Sequence, residues 1–180
     1  MSNDIFEKLS PQEALKILKQ LVKTDKDLKA RVFELAERVI REVSIDEICE
    51  EVLYSLDALD VQDLWDRAGP SQYGYTSPDE MAVEMVEDAL EPFVGEIKKF
   101  QDLKMPEEAK RYCMGVLYGI YRYGWESESE FKIHAEDVPQ ESFGWILEDW
   151  EKKSSEADKK AMKEFIKTKC PRWFKCYESN

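Results

Sequence analysis

Apolar positions recur at helical spacing along almost the whole chain. In residues 26–43, Leu28, Val32, Leu35, Ala36, Val39 and Val43 keep one face apolar, and charged residues fill most of the rest. Residues 45–58 repeat the pattern with Ile45, Ile48, Cys49, Val52, Leu53 and Leu56. Steps of three and four mark amphipathic helices, because about 3.6 residues make a turn. No segment shows the alternation of a half-buried strand.

Helix-start signals agree with this pattern. Ser10-Pro11-Gln12-Glu13, Ser44-Ile45-Asp46-Glu47 and Ser77-Pro78-Asp79-Glu80 each have the form of a capping box. There the serine hydroxyl accepts the N–H three residues on, and the glutamate bonds back to the serine N–H. Met105-Pro106-Glu107-Glu108 and Val138-Pro139-Gln140-Glu141 keep part of the signature. Proline at the first helical position loses no hydrogen bond.

The pattern predicts helices over 11–23, 26–43, 45–58, near 60–68, 78–103, 106–123, 139–153 and 155–169. Residues 69–76, Gly-Pro-Ser-Gln-Tyr-Gly-Tyr-Thr, predict a loop. Pro92 predicts a sharp kink or a break in the long helix, since proline lacks the N–H and disfavours helical geometry at Glu91. Ser127 and Glu130 form a further possible start. The tail 170–180 lacks periodicity.

The five starts are offset by 34, 33, 28 and 33 residues. An antiparallel helical hairpin takes about that much chain, so the spacing suggests stacked helix pairs. Five residues after each glutamate stand Leu18, Val52, Met85, Cys113 and Ile146. Nine residues after stand Val22, Leu56, Ala89, Leu117 and Trp150. Every one is apolar, although any amphipathic helix favours apolar residues at such offsets. The expected fold is all-α: antiparallel hairpins stacked as a short solenoid, or an irregular helical bundle. The expected organisation is one helical domain over 1–168, of about five helix pairs, and a tail over 169–180.

Pro11, Pro78, Pro106 and Pro139 stand just inside helix starts, and Ile17, Tyr112 and Trp145 follow three of them by six residues. The arrangement resembles tetratricopeptide-type repeats, hairpins of about 34 residues with proline and an early aromatic at related places. The resemblance implies a scaffold that binds a protein or peptide. The small residue that family keeps in each second helix is not kept here, so no binding residue carries over. A fainter similarity is to helical regions that accompany SWIM-type zinc fingers in some prokaryotic proteins. The finger's cysteines and histidine are absent, so that similarity implies no metal chemistry.

Charge changes the picture along the chain. Residues 34–91 hold three arginines and seventeen acids, whereas 152–175 hold nine basic and three acidic groups. The acidic body disfavours broad contact with nucleic acid or an anionic membrane. The basic tail leaves open a local anionic contact. No apolar run reaches the ~20 residues of a membrane span, and the first residues lack the apolar core of a signal peptide. The expectation is a cytoplasmic protein.

Catalytic and metal signals are lacking. Asp57, Asp60, Asp63 and Asp66 recur every three residues, but on a helix such a row spirals and does not converge. It also lacks the glycine and bidentate glutamate of a calcium loop. The single histidine, His134, has no nucleophile paired with it in the sequence. Cys49 and Cys113 lie on apolar stripes, and Cys170 and Cys176 lie in the tail. One histidine and these spacings make no regular zinc finger. No phosphate-binding glycine loop is present. The reading is therefore no catalytic residue, no metal and no cofactor.

Aromatic residues give the candidate site. Tyr118, Tyr121, Tyr123 and Trp125 cluster around Arg122, the residue types that dominate interface hot spots. Arg122 suits a carboxylate, so the expected segment is an acidic peptide. Gly115 and Gly119 lie four apart beside the cluster. They fit either close backbone packing of a neighbouring helix or a shallow groove. Tyr73, Tyr75, Arg172 and Trp173 are secondary candidates, and Trp173 and Phe174 could equally pack over the last helices. The leading expectation is a non-enzymatic adaptor for a protein or peptide. Alternatives are a regulator touching nucleic acid through the tail, and an enzyme whose carboxylates converge only in three dimensions. Oligomeric state is left open.

Overall fold

The computed structural model describes residues 8–71 and 74–177. The chain divides into two compact units, Met1–Glu42 and Val43–Asn180. This differs from the expected division at residues 168 and 169.

The first unit contains α1 (Pro11–Thr24) and α2 (Lys26–Arg41). Its expected capping box is formed. The Glu13 N–H donates to the Ser10 hydroxyl at 3.3 Å, and the Ser10 N–H donates to the Glu13 carboxylate at 3.0 Å. Asp25 alone joins the helices. Its N–H donates to the Leu21 carbonyl, ending α1, and its carboxylate accepts the N–H groups of Asp27 and Leu28, starting α2. Each helix end is thus satisfied locally. No described side chain of either helix is buried.

The second unit begins with α3 (Ile45–Asp57) and α4 (Val61–Arg67), then β1 (Gly69–Ser71) and β2 (Gly74–Thr76). It continues with α5 (Pro78–Asp102), α6 (Pro106–Glu126), a 3-10 helix (Glu130–His134), α7 (Val138–Glu151), α8 (Glu156–Lys169) and α9 (Pro171–Tyr177). The chain is all-α apart from the two short strands, and this unit is an irregular helical bundle. Among the described residues, no helix is long and apolar enough to cross a membrane.

Three elements depart from expectation. The expected loop at 69–76 contains a small antiparallel pair with Pro70 opposite Tyr75, too short to show alternation. Gly69 and Gly74 hold φ values of +111° and +134°, which only glycine adopts readily. Of the two outcomes expected at Pro92, the break is absent, and the chain stays helical through it. Proline there leaves the Asp88 carbonyl without its helical donor, but Asp88 and Pro92 are both exposed, so water can supply one. The tail forms α9, with Trp173 and Phe174 buried.

The core is organised around α6, which packs against α3, α5, α7 and α8. The register positions Val52, Met85, Cys113 and Ile146 are buried, as are Leu56, Leu117 and Trp150. Leu18, the corresponding residue of the first unit, is exposed.

The tightest contact is between α3 and α6. A Cβ on Gly115 would stand 2.7 Å from the Ile48 Cβ, and one on Gly119 would stand 2.7 Å from both the Cys49 carbonyl oxygen and the Val52 Cβ. Further on, Arg122 reaches Glu50 and Cys49, and Ser127 reaches Asp57. Residue numbers rise together along both helices, so they run parallel. Small residues four apart let two backbones approach in this way. Close packing is what the glycine pair provides, and α3 fills the face where a groove was the alternative. The contact joins the second and fourth expected units, so the units are not stacked in strict chain order.

The connection between α5 and α6 is a Schellman turn. The Met105 N–H donates to the Phe100 carbonyl at 3.0 Å and the Lys104 N–H to the Gln101 carbonyl at 3.1 Å. Lys104 occupies the left-handed position, with φ +58°. That conformation costs most residues about 1 kcal/mol or more.

These contacts give paired expectations for urea unfolding. Gly119→Ala is expected to destabilise by about 1–3 kcal/mol, because overpacking against backbone outweighs the gain in helix propensity. Gly144→Ala, in α7 with open space at its Cβ, is expected to stabilise by up to about 1 kcal/mol. Lys104→Gly is expected to stabilise by about 1 kcal/mol. Ile146→Ala is expected to cost about 2–5 kcal/mol and Trp145→Ala less, since Ile146 is buried and Trp145 is 38% exposed. Equal losses at 146 and 145, or a neutral Gly119→Ala, would contradict the packing described.

Candidate partner-binding site

A second face of α6, beside that of Gly115 and Gly119, carries Tyr118, Tyr121 and Trp125, and α8 and α9 divide it. Tyr118 packs edge-on against Phe165 with ring centres 6.3 Å apart, and the Lys169 ammonium lies 5.4 Å from its ring. Tyr121 meets Trp173 edge-on at 5.2 Å, and Trp173 meets Phe143 at 5.3 Å. A Cβ at Gly124 would come within 2.9 Å of Trp173, so this third glycine lets the indole lie against the α6 backbone. Trp173 is thereby an anchor that docks α9, and with Phe174 buried beside it neither ring is free to stack on a nucleic-acid base.

Tyr123 points to the other side and is fully buried. Burial pushes its phenol up to about 12, and Ser129 offsets part of that shift. The hydroxyl has no hydrogen-bond partner of normal geometry. Lys132 caps the end of α6 beside it: its ammonium donates to the Gly124 and Ser127 carbonyls at 3.0 and 2.9 Å. A cation near the last carbonyls also suits the helix dipole.

Arg122 is a clamp between helices. Its guanidinium pairs with Glu50 of α3 and with Glu126 of its own helix, the latter at 2.8 Å, and its side chain is 21% exposed. It also donates to the Cys49 sulfur at 3.6 Å. The hydrogen bond to Glu50 is the main cause that raises its pKa. The guanidinium is therefore already committed to two carboxylates of its own chain.

The exposed residues of the expected set are Trp125, Arg172 and Tyr75. Tyr75 lies on β2, 70% exposed. Tyr73 lies outside the described residues. Trp125 is 49% exposed, and the Arg172 guanidinium stacks over it 4.0 Å from the ring centre. Trp125 lines a cleft of about 540 Å³ whose other walls include Lys132, Ile133, Glu136, Asp137, Gln140 and the edge of Trp173. Ile133 is 79% exposed. Asp137 precedes α7 but its backbone is in the helical region, at φ −91° and ψ −16°, so its carboxylate makes no cap hydrogen bond. N-capping needs an extended backbone that aims the side chain at the first N–H groups. The cleft thus joins two exposed apolar side chains to carboxylates on its rim. Ile133, Glu136 and Asp137 carry no periodic signal, because they belong to a 3-10 turn and its exit. Only the fold brings them to Trp125.

The remaining candidates are dispersed. Asp60 caps α4, Asp66 accepts from Gln62 at 2.9 Å, and Asp57 accepts from Ser127, so the aspartate row is split among helix ends. His134 packs edge-on against Trp65 at 5.5 Å. Among the described residues, no group of three His, Cys, Asp or Glu side chains is placed to hold a metal ion. Cys49, Cys113 and Cys170 are buried free thiols. Desolvation raises all three, Cys170 to about 12.

Arg122→Ala is expected to destabilise by about 1 kcal/mol, as a partly exposed ion-pair network allows. Arg122→Glu is expected to lower the melting temperature further, because a third carboxylate would face Glu50 and Glu126. An unchanged melting temperature for Arg122→Glu would show that the clamp contributes nothing. Thiol labelling at pH 8 is expected to be slow at Cys49, Cys113 and Cys170 in the native protein and fast in urea, since the thiolate is the reactive form. Rapid native labelling at Cys170, read by mass spectrometry, would contradict its burial. No family model, curated protein or solved structure matches the chain.

Proposed function

We propose that the protein is a non-enzymatic helical adaptor, and that its second unit binds a peptide segment of a partner protein at the cleft beside Trp125. The observation that carries this reading is the cleft's composition. Trp125 and Ile133 expose apolar surface there and Glu136 and Asp137 supply negative charge, while the one lysine in the lining, Lys132, turns its ammonium to the Gly124 and Ser127 carbonyls. An indole face also favours cations, and Arg172 already stacks on this one. The segment that fits is apolar and basic, with an arginine or lysine side chain entering between Trp125 and the two carboxylates.

This reverses the charge expected from the sequence. Arg122 would have selected an acidic peptide, but its guanidinium is occupied by Glu50 and Glu126. The strongly acidic composition, with a net charge of −13, also favours a basic partner through long-range attraction.

A peptide array with matched basic and acidic variants around an apolar residue tests the proposal. Binding is expected to favour the basic series and to weaken as salt is raised. Trp125→Ala is expected to weaken it by about tenfold or more, since exposed indoles that become buried act as hot spots. Melting temperature is expected to change little, because Trp125 is half exposed. Preference for acidic peptides, or binding indifferent to Trp125→Ala and to Asp137→Asn, would overturn the proposal.

A further inference from the structure

The first unit presents an apolar surface that its own two helices leave uncovered. At 100° per residue, Ala14, Leu15, Ile17, Leu18, Leu21 and Val22 span an arc of about 160° on α1. On α2, Leu28, Val32, Phe33, Leu35, Ala36, Val39 and Ile40 span an arc of similar width, which also contains Lys29. A helix that meets one neighbour needs an apolar stripe of roughly 100°. Each arc is wide enough for a second neighbour. Exposure agrees: Val22, Leu28, Val32 and Ile40 are half-buried, whereas Leu15, Ile17, Leu18, Leu21, Phe33, Leu35 and Val39 are exposed, Val39 to 69%.

We infer that this surface joins two copies of the chain, α1 and α2 of one copy packing on α1 and α2 of the other as a four-helix bundle. Three observations favour a second copy. The first is area. The seven exposed side chains present roughly 600 Å² in one copy, so two copies covering them fully would bury about 1,200 Å², the lower limit for a specific, stable interface. A two-fold contact also needs only one such patch, because the surface is its own complement.

The second is charge. Residues 43–180 hold seventeen basic and thirty-one acidic groups, a net of −14, while residues 11–41 hold eight basic and five acidic, a net of +3. Two copies approaching through the second unit would meet strong repulsion. Approach through the first unit largely avoids it.

The third is the need for cover. Helices of 14 and 16 residues are marginal in water without tertiary burial. Here the caps are complete but no described side chain is buried, so the burial that would hold the pair must come from outside it.

Sedimentation equilibrium of the full chain over a wide concentration range tests the inference. The expected result is a two-fold mass increase over the 21.1 kDa chain, reversing on dilution. Leu35→Glu/Val39→Glu is expected to weaken association by about 100-fold or more, which corresponds to about 2.7 kcal/mol. Both positions are exposed in a single copy, so melting of the second unit is expected to stay unchanged. If the variant fails to fold, wild-type far-UV helicity provides the second readout: it is expected to fall on dilution through the same range as the mass. A chain that is monomeric at every concentration overturns the inference and leaves the surface to a different partner. A dimer undisturbed in the folded variant overturns it as well, by placing the contact elsewhere.

Discussion

The bundle of residues 43–177 depends on how closely α3 can approach α6. With Gly115 and Gly119 at the crossing, Ile48, Cys49 and Val52 lie directly against the α6 backbone. Two glycines in a helix interior cost about 1 kcal/mol each in propensity. The offsetting gain is burial: Val52, Leu56, Leu117 and Ile120 all lose contact with water. Because the two helices run parallel, the contact cannot come from a short hairpin. It requires the chain from α4 through α5 to lead back to the starting end. The length of α5, Pro78–Asp102, and the tight Schellman turn after it fit that requirement.

The same crossing decides what the rest of α6 can do. With one face taken by α3, Arg122 and Glu126 lie at its edge, and Glu50 completes an ion-pair set there. The glycine crossing sets the rotation of α6 about its axis, and the ion pairs follow its edge. That rotation presents Tyr118 to α8, Tyr121 and Gly124 to α9, and Trp125 to solvent. The third glycine then repeats on the second face what the first two do on the first. Trp173 takes the space of an absent side chain and brings α9 alongside. The aromatic cluster seen in the sequence is therefore mostly mortar between helices, and its exposed remainder is one indole at the end of α6.

Helix positions were legible in the sequence because their causes are local. Ser10 and Ser77 complete capping boxes in the structure, and Ser44 and Ser155 accept the N–H groups that their positions suggest. The apolar registers mark the buried faces of α3, α5, α6 and α7. The order of packing was not legible, because nothing local says that Gly115 meets Ile48 and not a residue of the next unit. The role of Arg122 was missed for the same reason: its partner Glu50 is 72 residues away. Of the kink or break that Pro92 suggests, the break does not occur, because at an exposed turn water can serve the freed carbonyl. The cleft was hidden because Ile133 and Asp137 owe their places to a 3-10 turn and a cap that lacks periodicity.

The two units show how little of an amphipathic pattern is decided by the pattern itself. The stripe of α2 is as regular as that of α3, yet Val39 is exposed and Val52 is fully buried. The difference lies in what faces them. α3 meets a helix carved with glycines, so a β-branched side chain reaches backbone. The first unit offers only two helices with wide arcs, and neither carries a glycine that would draw them into closer contact. Two helices cannot enclose a side chain, since each residue at their seam still has an open side. Enclosure begins when a third or fourth helix closes that side, as α5, α7 and α8 do around α6. The apolar arcs of α1 and α2 have the width for such closure, so what the unit lacks is a further neighbour and not further apolar residues.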